Sequence, residues 1–299
     1  MAHVSIVRVV NDNCRKAVYK ALDYIKITPR SVDTALIKPN LCHYYSADTG
    51  ITTDVCVVDC LIDYIRERIN SDARIIIGEA DATEMKADTA FKLLGYSRLA
   101  RTKGISLMNL SKDKKIRVDG RYVKEIPAIT KEADLFFTVP KLKTHTDTKI
   151  TCCLKNQFGA IPYWKKAKFH KNLNETIVEA VAFMKPHICL VDGIIALEGM
   201  GPISNGKPLR MNLIVAGNDP VATDHVCSKI MGISNVKHVK LAQRNGVGSI
   251  KDLHILGERV DNVKRKFKSI PPTLRLASYC TRFDLGSLAF ILERLSRYK

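Results

Sequence analysis

Apolar residues recur along this chain in two rhythms. Short runs such as ARIIIGE (73–79), DLFFTVP (134–140), HICLVDG (187–193) and LIVAG (213–217) show little polar alternation. That is the pattern of strands buried on both faces of a parallel sheet. Between them, CRKAVYKALDYI (14–25) and VCVVDCLIDYI (55–65) carry apolar residues three and four apart, the spacing of a helix with one face turned inward. HVSIVRVV (3–10), TALIKPN (34–40, stopped by Pro39), ISLMNL (105–110) and HILGE (254–258) predict further strands. Helices are predicted over 53–70, 84–96, 172–185 and 235–244. One more opens at Asp219-Pro220, an acidic cap followed by proline in the first turn. Asp119-Gly120, inside 115–127, predicts a hairpin with a two-residue turn. Residues 141–170 follow neither rhythm and read as irregular.

The alternation of strands and helices predicts an α/β fold, a largely parallel sheet covered by helices on both faces. Residues 1–260 are expected to form the α/β domain, either as one body or as two lobes divided near 130–135. Residues 261–299 form a basic tail. There Leu285, Leu288, Leu292 and Leu295 recur at helical spacing among Arg282, Arg294, Arg297 and Lys299. A basic amphipathic helix of this kind suits an acidic membrane surface, docking on its own core, or contact between copies in a homo-oligomer.

Composition narrows the function classes. With 46% apolar and 26% charged residues the chain can bury a core, which excludes wholesale disorder. No apolar run approaches the roughly 18 residues of a membrane span. The opening MAHVSIVRVVNDN lacks the features of a secretory leader, so a soluble cytoplasmic protein is expected. The nine cysteines are odd in number and include no CxxC pair; the usual zinc and ferredoxin spacings are absent, and an iron–sulfur cluster is not expected. Cys56 and Cys60 share a helix face, as buried thiols often do. Cys152 and Cys153 are expected on opposite sides of a strand.

The net charge of +18 is concentrated in two places. Residues 135–174 hold Lys141, Lys143, Lys149, Lys155, Lys165, Lys166, Lys168 and Lys171 against Asp147 alone; residues 264–299 hold nine Lys and Arg against Asp284 and Glu293. Such fields attract anions: a carboxylate or phosphorylated substrate, RNA, or an acidic membrane surface. Between the two segments, Asp192, Glu198, Asp219 and Asp224 sit at predicted strand ends, turns and a helix start. They are candidate oxygen ligands for Mg²⁺ or Mn²⁺, and for Asp219 a plain helix cap is the alternative.

In an extended backbone Lys141, Lys143 and His145 project to one side just after a buried strand, and three cations there call for an anion. Lys143 and Lys155 are candidate clamps. His145 and His170 are candidate general acid and base, since imidazole titrates near neutral pH; neighbouring lysines favour neutral His145. Lys38 and Asn40 follow a strand at the same sheet edge, and Glu79 is a candidate partner for Lys38. EGMGPISNGKP (198–208) is a glycine-rich loop whose Gly199 and Gly201 can bring backbone N–H groups close to a ligand.

The segments IKPNL (37–41), GE (78–79), PKLKTH (140–145), LKNQFG (154–159), His170, VDGIIALEGMGP (191–202), GKP (206–208) and GNDPVATD (217–224) occur in an order and spacing that resemble the domain-of-unknown-function family 362. The resemblance adds Asn156, in LKNQFG, to the substrate-binding set. The family has no general assigned reaction. Many members carry a ferredoxin-like cysteine cluster and are labelled iron–sulfur proteins, but this sequence lacks that cluster, so the label does not transfer. PKLKTH followed by LKN is also faintly similar to the nickel-dependent lactate racemase family, in which a Lys/His segment works near a nickel cofactor; the similarity does not assign nickel here.

The expected function is an enzyme acting on a small anionic metabolite by Lys/His acid–base chemistry, with a divalent metal as an optional part. One alternative is RNA binding, through Tyr163, Trp164 and Phe169 interleaved with Lys165, Lys166 and Lys168. The other is a redox or iron–sulfur-associated protein without its own cysteine cluster.

Overall fold

Ten strands join one sheet in the computed structural model, which describes residues 1–27, 31–203 and 205–268. The chain runs β1 (Ala2–Arg8), α1 (Cys14–Ile25), β2 (Thr34–Pro39), α2 (Val55–Arg68), β3 (Arg74–Glu79), α3 (Ala87–Leu93), α4 (Tyr96–Lys103), β4 (Ser106–Asn109), β5 (Lys115–Arg117), β6 (Glu125–Pro127) and α5 (Ile129–Glu132). It continues through β7 (Leu135–Val139), β8 (Lys141–His145), β9 (Lys149–Thr151), α6 (Cys153–Ala160), α7 (Leu173–Met184), β10 (Ile188–Met200), β11 (Asn205–Gly217), α8 (Pro220–Ile230), α9 (Lys237–Arg244), β12 (Leu253–Gly257) and α10 (Val260–Val263).

The main sheet has the order β12-β1-β11-β10-β7-β2-β3-β4, with β8 and β9 attached beside β10. All neighbours along that order are parallel except the two pairs made by β11. The sheet is therefore mixed but mostly parallel. β7 pairs with both β2 and β10, so chain from either side of 130–135 enters one sheet.

Strand residues alternate between two buried clusters. Leu36, Phe136, Val191 and Val215 enter one, with residues of α6, α7, α8 and α9. Ala35, Ile37, Leu135, Phe137, Leu190, Ile214 and Ala216 enter the other, with residues of α1, α2, α3 and α4. This two-sided burial explains why the strands read as continuous apolar runs, and each large side chain removed from water contributes about 1.5–3 kcal/mol. The helices start where side chains satisfy their open N–H groups. Asn13 accepts from Lys16 N at 2.9 Å, Asp54 from Cys56 N at 2.9 Å, and Asp219 from Val221 N at 2.7 Å.

The departures from expectation lie where local chemistry competes with the rhythm. The helix expected over 84–96 is the shorter α3; a second helix, α4, not expected from the sequence, starts after Gly95 in the left-handed region (φ 84°) and runs on to Lys103. β5 and β6 do form a hairpin, but their register pairs Arg117 with Glu125, so the connection is longer than an Asp-Gly turn. Glu179 organises it by accepting from the backbone N–H groups of Arg121, Tyr122 and Val123. Residues 141–170 are not irregular: they build β8, β9, α6 and a 3-10 segment at Lys166–Asn172. β10 passes through a bulge at Gly193/Ile195 and continues to Met200, so 198–208 is the end of a long β10–β11 hairpin. The proposed amphipathic helix at 285–295 lies outside the described residues. The described start of the tail lies on the body, with Phe267 buried and its N–H donating to Met231 O at 3.0 Å.

Candidate active site

The C-terminal ends of β2, β3, β7 and the first half of β10 meet at one edge, the place where parallel α/β sheets present their chemistry. Five lysines converge here or just beyond. Lys38, on β2, is 0% exposed and lies 2.6 Å from Glu79 Oε1 at the end of β3. Glu79 also accepts from Leu41 N at 3.0 Å and Ala80 N at 3.0 Å. Lys141 opens β8 after Pro140 and lies 2.9 Å from Asp192 Oδ2, with both side chains buried. Asp192 further accepts from Asp54 N at 2.8 Å and Ile194 N at 3.1 Å. These two ion pairs are closed systems in which each charge has its counter-charge and the remaining lone pairs are used.

Lys143, Lys155 and Lys166 are different. Among the described residues none has a carboxylate at salt-bridge distance. Lys143, 1% exposed, donates to Ile51 O at 2.6 Å, Cys42 Sγ at 3.0 Å and Pro202 O at 3.3 Å. Burial pulls its pKa below the usual lysine range. Lys155, on α6, places its ammonium 4.3 Å from the centre of the Phe158 ring. Burial, then the nearby Lys143 charge, lowers its pKa to about 8. Lys166 is buried and donates to Gly159 O; burial is the main cause that brings it down to about 7, with Lys38 and Lys155 adding to the effect. Lys143 and Lys166, both buried, and Lys155, partly exposed, thus have no carboxylate at salt-bridge distance among the described residues.

Asn40 and Asn156 link the two kinds of lysine. Asn156 donates to Thr138 Oγ1 at 3.0 Å and Lys38 O at 3.1 Å, and its oxygen accepts from Asn40 Nδ2 at 3.3 Å. Asn40 Oδ1 is buried without a partner. His145 ends β8, buried, with Nδ1 accepting from Asp147 N at 3.1 Å. His170 lies half-buried in the 3-10 segment, its ring 6.5 Å from that of Phe158. All of β8 is buried, and Leu142, between Lys141 and Lys143, belongs to the apolar core.

Other expected site residues are not brought into this group. Gly199 N donates to Lys268 O at 3.0 Å and Gly201 N to Gly199 O at 2.9 Å, so neither N–H is presented to a ligand. Gly201 instead permits close packing: a Cβ there would lie 2.1 Å from Thr144 O, where the hairpin end meets β8. The four carboxylates expected to gather around Mg²⁺ or Mn²⁺ do not converge among the described residues. Asp192 is held by Lys141. Glu198 accepts from Lys268 N at 2.9 Å. Asp219 caps α8 and also accepts from Ser249 N at 2.8 Å. Asp224 accepts from Cys153 N at 2.7 Å and Leu154 N at 3.1 Å at the start of α6. Each oxygen satisfies a local backbone or side-chain donor, which is why sequence proximity does not become convergence.

The cysteine expectations also change. Cys152 and Cys153 do not point apart: their sulfurs are 3.9 Å apart, because Cys152 sits at the cap of α6 instead of within a strand. Cys56 and Cys60 are joined by Cys14, all three sulfurs lying within 4.8 Å of one another. The aromatic segment is partly internal. Phe169 and Lys166 are buried and Tyr163 donates to Glu125 at 2.8 Å, while Trp164 is exposed. No helix among the described residues is long and apolar enough to cross a membrane.

Cys42 and Lys166 are the site residues that sequence reasoning missed. Cys42 follows the IKPNL segment by one residue, and that position was its signal. Lys166 was merged into a charge run, although the buried Phe169 three residues on marks an inward-facing turn.

A protein related in sequence, the thylakoid-associated protein sll1697 of Synechocystis sp., is 33% identical over 124 residues, 39% of this chain and 38% of that protein. Among solved structures, the lactate racemase apoprotein from Thermoanaerobacterium thermosaccharolyticum is similar at a TM-score of 0.48 and 12% identity, over 78% of this chain and 58% of that one. The matches therefore span less than two thirds of either protein's own length. The family described as a domain of unknown function, DUF362, matches residues 35–229, a span that holds all five lysines of the site, and the chain belongs to that family.

Proposed function

We propose that the lysine cluster binds a small anionic metabolite, a carboxylate or a phosphorylated compound, and that the protein is an enzyme acting on it by lysine and histidine proton transfer. The observation that carries this reading is the contrast within the cluster: Lys38 and Lys141 have buried carboxylate partners, whereas Lys143, Lys155 and Lys166 have none among the described residues. Buried cations without counter-charge are costly, and a bound anion removes that cost. Asn40, with its unpartnered oxygen, supplies an acceptor for a protonated group of the ligand.

Lys143, whose three N–H groups are already given to Ile51 O, Cys42 Sγ and Pro202 O, contributes fixed positive charge to the site and gives an anion a direct hydrogen bond only by releasing one of these acceptors. Lys155 and Lys166, at about 8 and about 7, exchange protons near neutral pH and so suit general acid–base work. His145 and His170 are the second acid–base pair. The reading places no divalent metal at the lysine site, because Asp192, Glu198, Asp219 and Asp224 are each engaged separately and do not meet there. Eight free cysteines among the described residues suit a reducing, cytoplasmic setting.

The test is a thermal-shift screen with inorganic phosphate, pyrophosphate, oxalate and malate, on the wild type and on Lys155→Met and Lys166→Met. At least one anion is expected to stabilise the wild type and to lose most of that effect in both variants. No stabilisation by any anion, or equal stabilisation of all three proteins, contradicts the reading.

A further inference from the structure

The start of α6 also borders a second buried cluster that the proposed function does not use. The sulfurs of Cys152 and Cys153 and a carboxylate oxygen of Asp224 all lie within 4.8 Å of one another, and all three residues are fully buried. His238, in the first turn of α9, is 0% exposed, and neither of its ring nitrogens has a hydrogen-bond partner. Its Nε2 lies 3.9 Å from Asp224 Oδ2. A buried imidazole with no hydrogen-bond partner is costly to keep. Here it faces the carboxyl group of Asp224, which is beside the thiols of Cys152 and Cys153, with Cys189 and Cys227 next to them.

We propose that Cys152, Cys153, Asp224 and His238 bind one zinc ion in a closed structural site. A tetrahedral zinc with Zn–S bonds of about 2.3 Å sets two sulfur ligands about 3.8 Å apart. The two sulfurs stand at 3.9 Å without the ion. The histidine nitrogen stands 3.9 Å from the carboxylate oxygen but outside the group of three donors that lie within 4.8 Å of one another, so the His238 ring must swing towards the sulfurs by about an ångström or more to complete the shell. Two sulfurs, one nitrogen and one oxygen form a donor set that suits zinc over the hard cations, which prefer all-oxygen shells. On binding, the thiol protons pass to solvent and two thiolates and a carboxylate face the dication. The residual negative charge lies at the N-terminus of α6, whose N–H groups at Cys153 and Leu154 already point at Asp224. The ion would tie α8 and α9 to the start of α6, the helix that carries Lys155 and Asn156.

The inference is independent of the anion reading and is tested separately. The full chain carrying Cys14→Ser, Cys56→Ser and Cys60→Ser, which removes the other thiol group, is isolated from cells grown with added zinc. One zinc per chain is expected, and X-ray absorption is expected to show two sulfurs and two lighter atoms around it. His238→Gln or Cys152→Ser in that background is expected to weaken retention at least tenfold, read by competition with a chelator. Protein isolated without zinc, a zinc shell without sulfur, or retention unchanged in both variants overturns the proposal. If a variant fails to fold, the shell measured in the parent protein decides.

Discussion

Two buried polar clusters share helix α6, and their charge deficits are opposite. One gathers Lys143, Lys155 and Lys166 without carboxylate partners among the described residues. The other gathers two thiols and Asp224 beside a neutral histidine, whose pKa burial pushes down to about 3. The ion pairs Lys38–Glu79 and Lys141–Asp192 show what balanced burial looks like in the same fold: direct contacts at 2.6 and 2.9 Å, with every remaining carboxylate oxygen engaged. Where balance is missing, the missing charge identifies the class of ligand, an anion at one cluster and a cation at the other.

The largest effect should come from breaking a balanced pair. Glu79→Ala leaves Lys38 buried and unpaired, and urea denaturation is expected to show a loss of about 3–5 kcal/mol. Asp192→Ala should do the same to Lys141. Lys155→Met, by contrast, removes a charge that has no partner, and stability is expected to hold or rise while anion binding is lost. If Glu79→Ala and Lys155→Met destabilise equally, the distinction between paired and waiting lysines fails. Gly201→Ala comes next. Its Cβ would sit 2.1 Å from Thr144 O, so the hairpin end must shift, at a cost of about 1–3 kcal/mol.

The fold was legible where burial is uniform. ARIIIGE, DLFFTVP and HICLVDG read as strands because both faces of the sheet are apolar at those positions. Residues 141–151 were not legible, because the sheet there buries Lys141, Lys143 and His145, and polar residues at a site conceal the strand rhythm. The β10–β11 hairpin was hidden for a related reason: Gly193, Gly199 and Gly201 read as a loop, while their real work is a bulge and a close approach to β8. The lysine half of the site was largely readable from the segments around 38 and 141–156. The carboxylate half was not, because backbone amides claimed Asp219 and Asp224 and only coordinates reveal that. Asp224 and His238 lie on different helices, and nothing in their spacing pointed to a meeting.

Smaller effects sharpen the same contrast. Lys155 and Lys166 have folded-state pKa values of about 8 and about 7, below the unfolded value. Between those values and about 10.4 the unfolded chain binds more protons, so stability is expected to rise with pH across that window. Lys155→Met, Lys166→Met should flatten that rise in a series of denaturation curves. Pyrophosphate affinity should move the other way, falling at least tenfold from pH 6 to pH 9 as the ammonium groups lose their charge. The smallest effect is expected at Trp164, an exposed ring: Trp164→Ala should change stability by no more than about 0.5 kcal/mol.

The most direct measurement is the titration of the lysine Nζ groups by heteronuclear NMR on selectively labelled protein, with Lys155→Met and Lys166→Met for assignment. Two lysines are expected to titrate between about pH 7 and 8 in the free protein and to move upward when pyrophosphate is added. If every lysine titrates near its ordinary value of about 10.4, and none responds to the anion, the buried cluster is not waiting for one and the account is wrong.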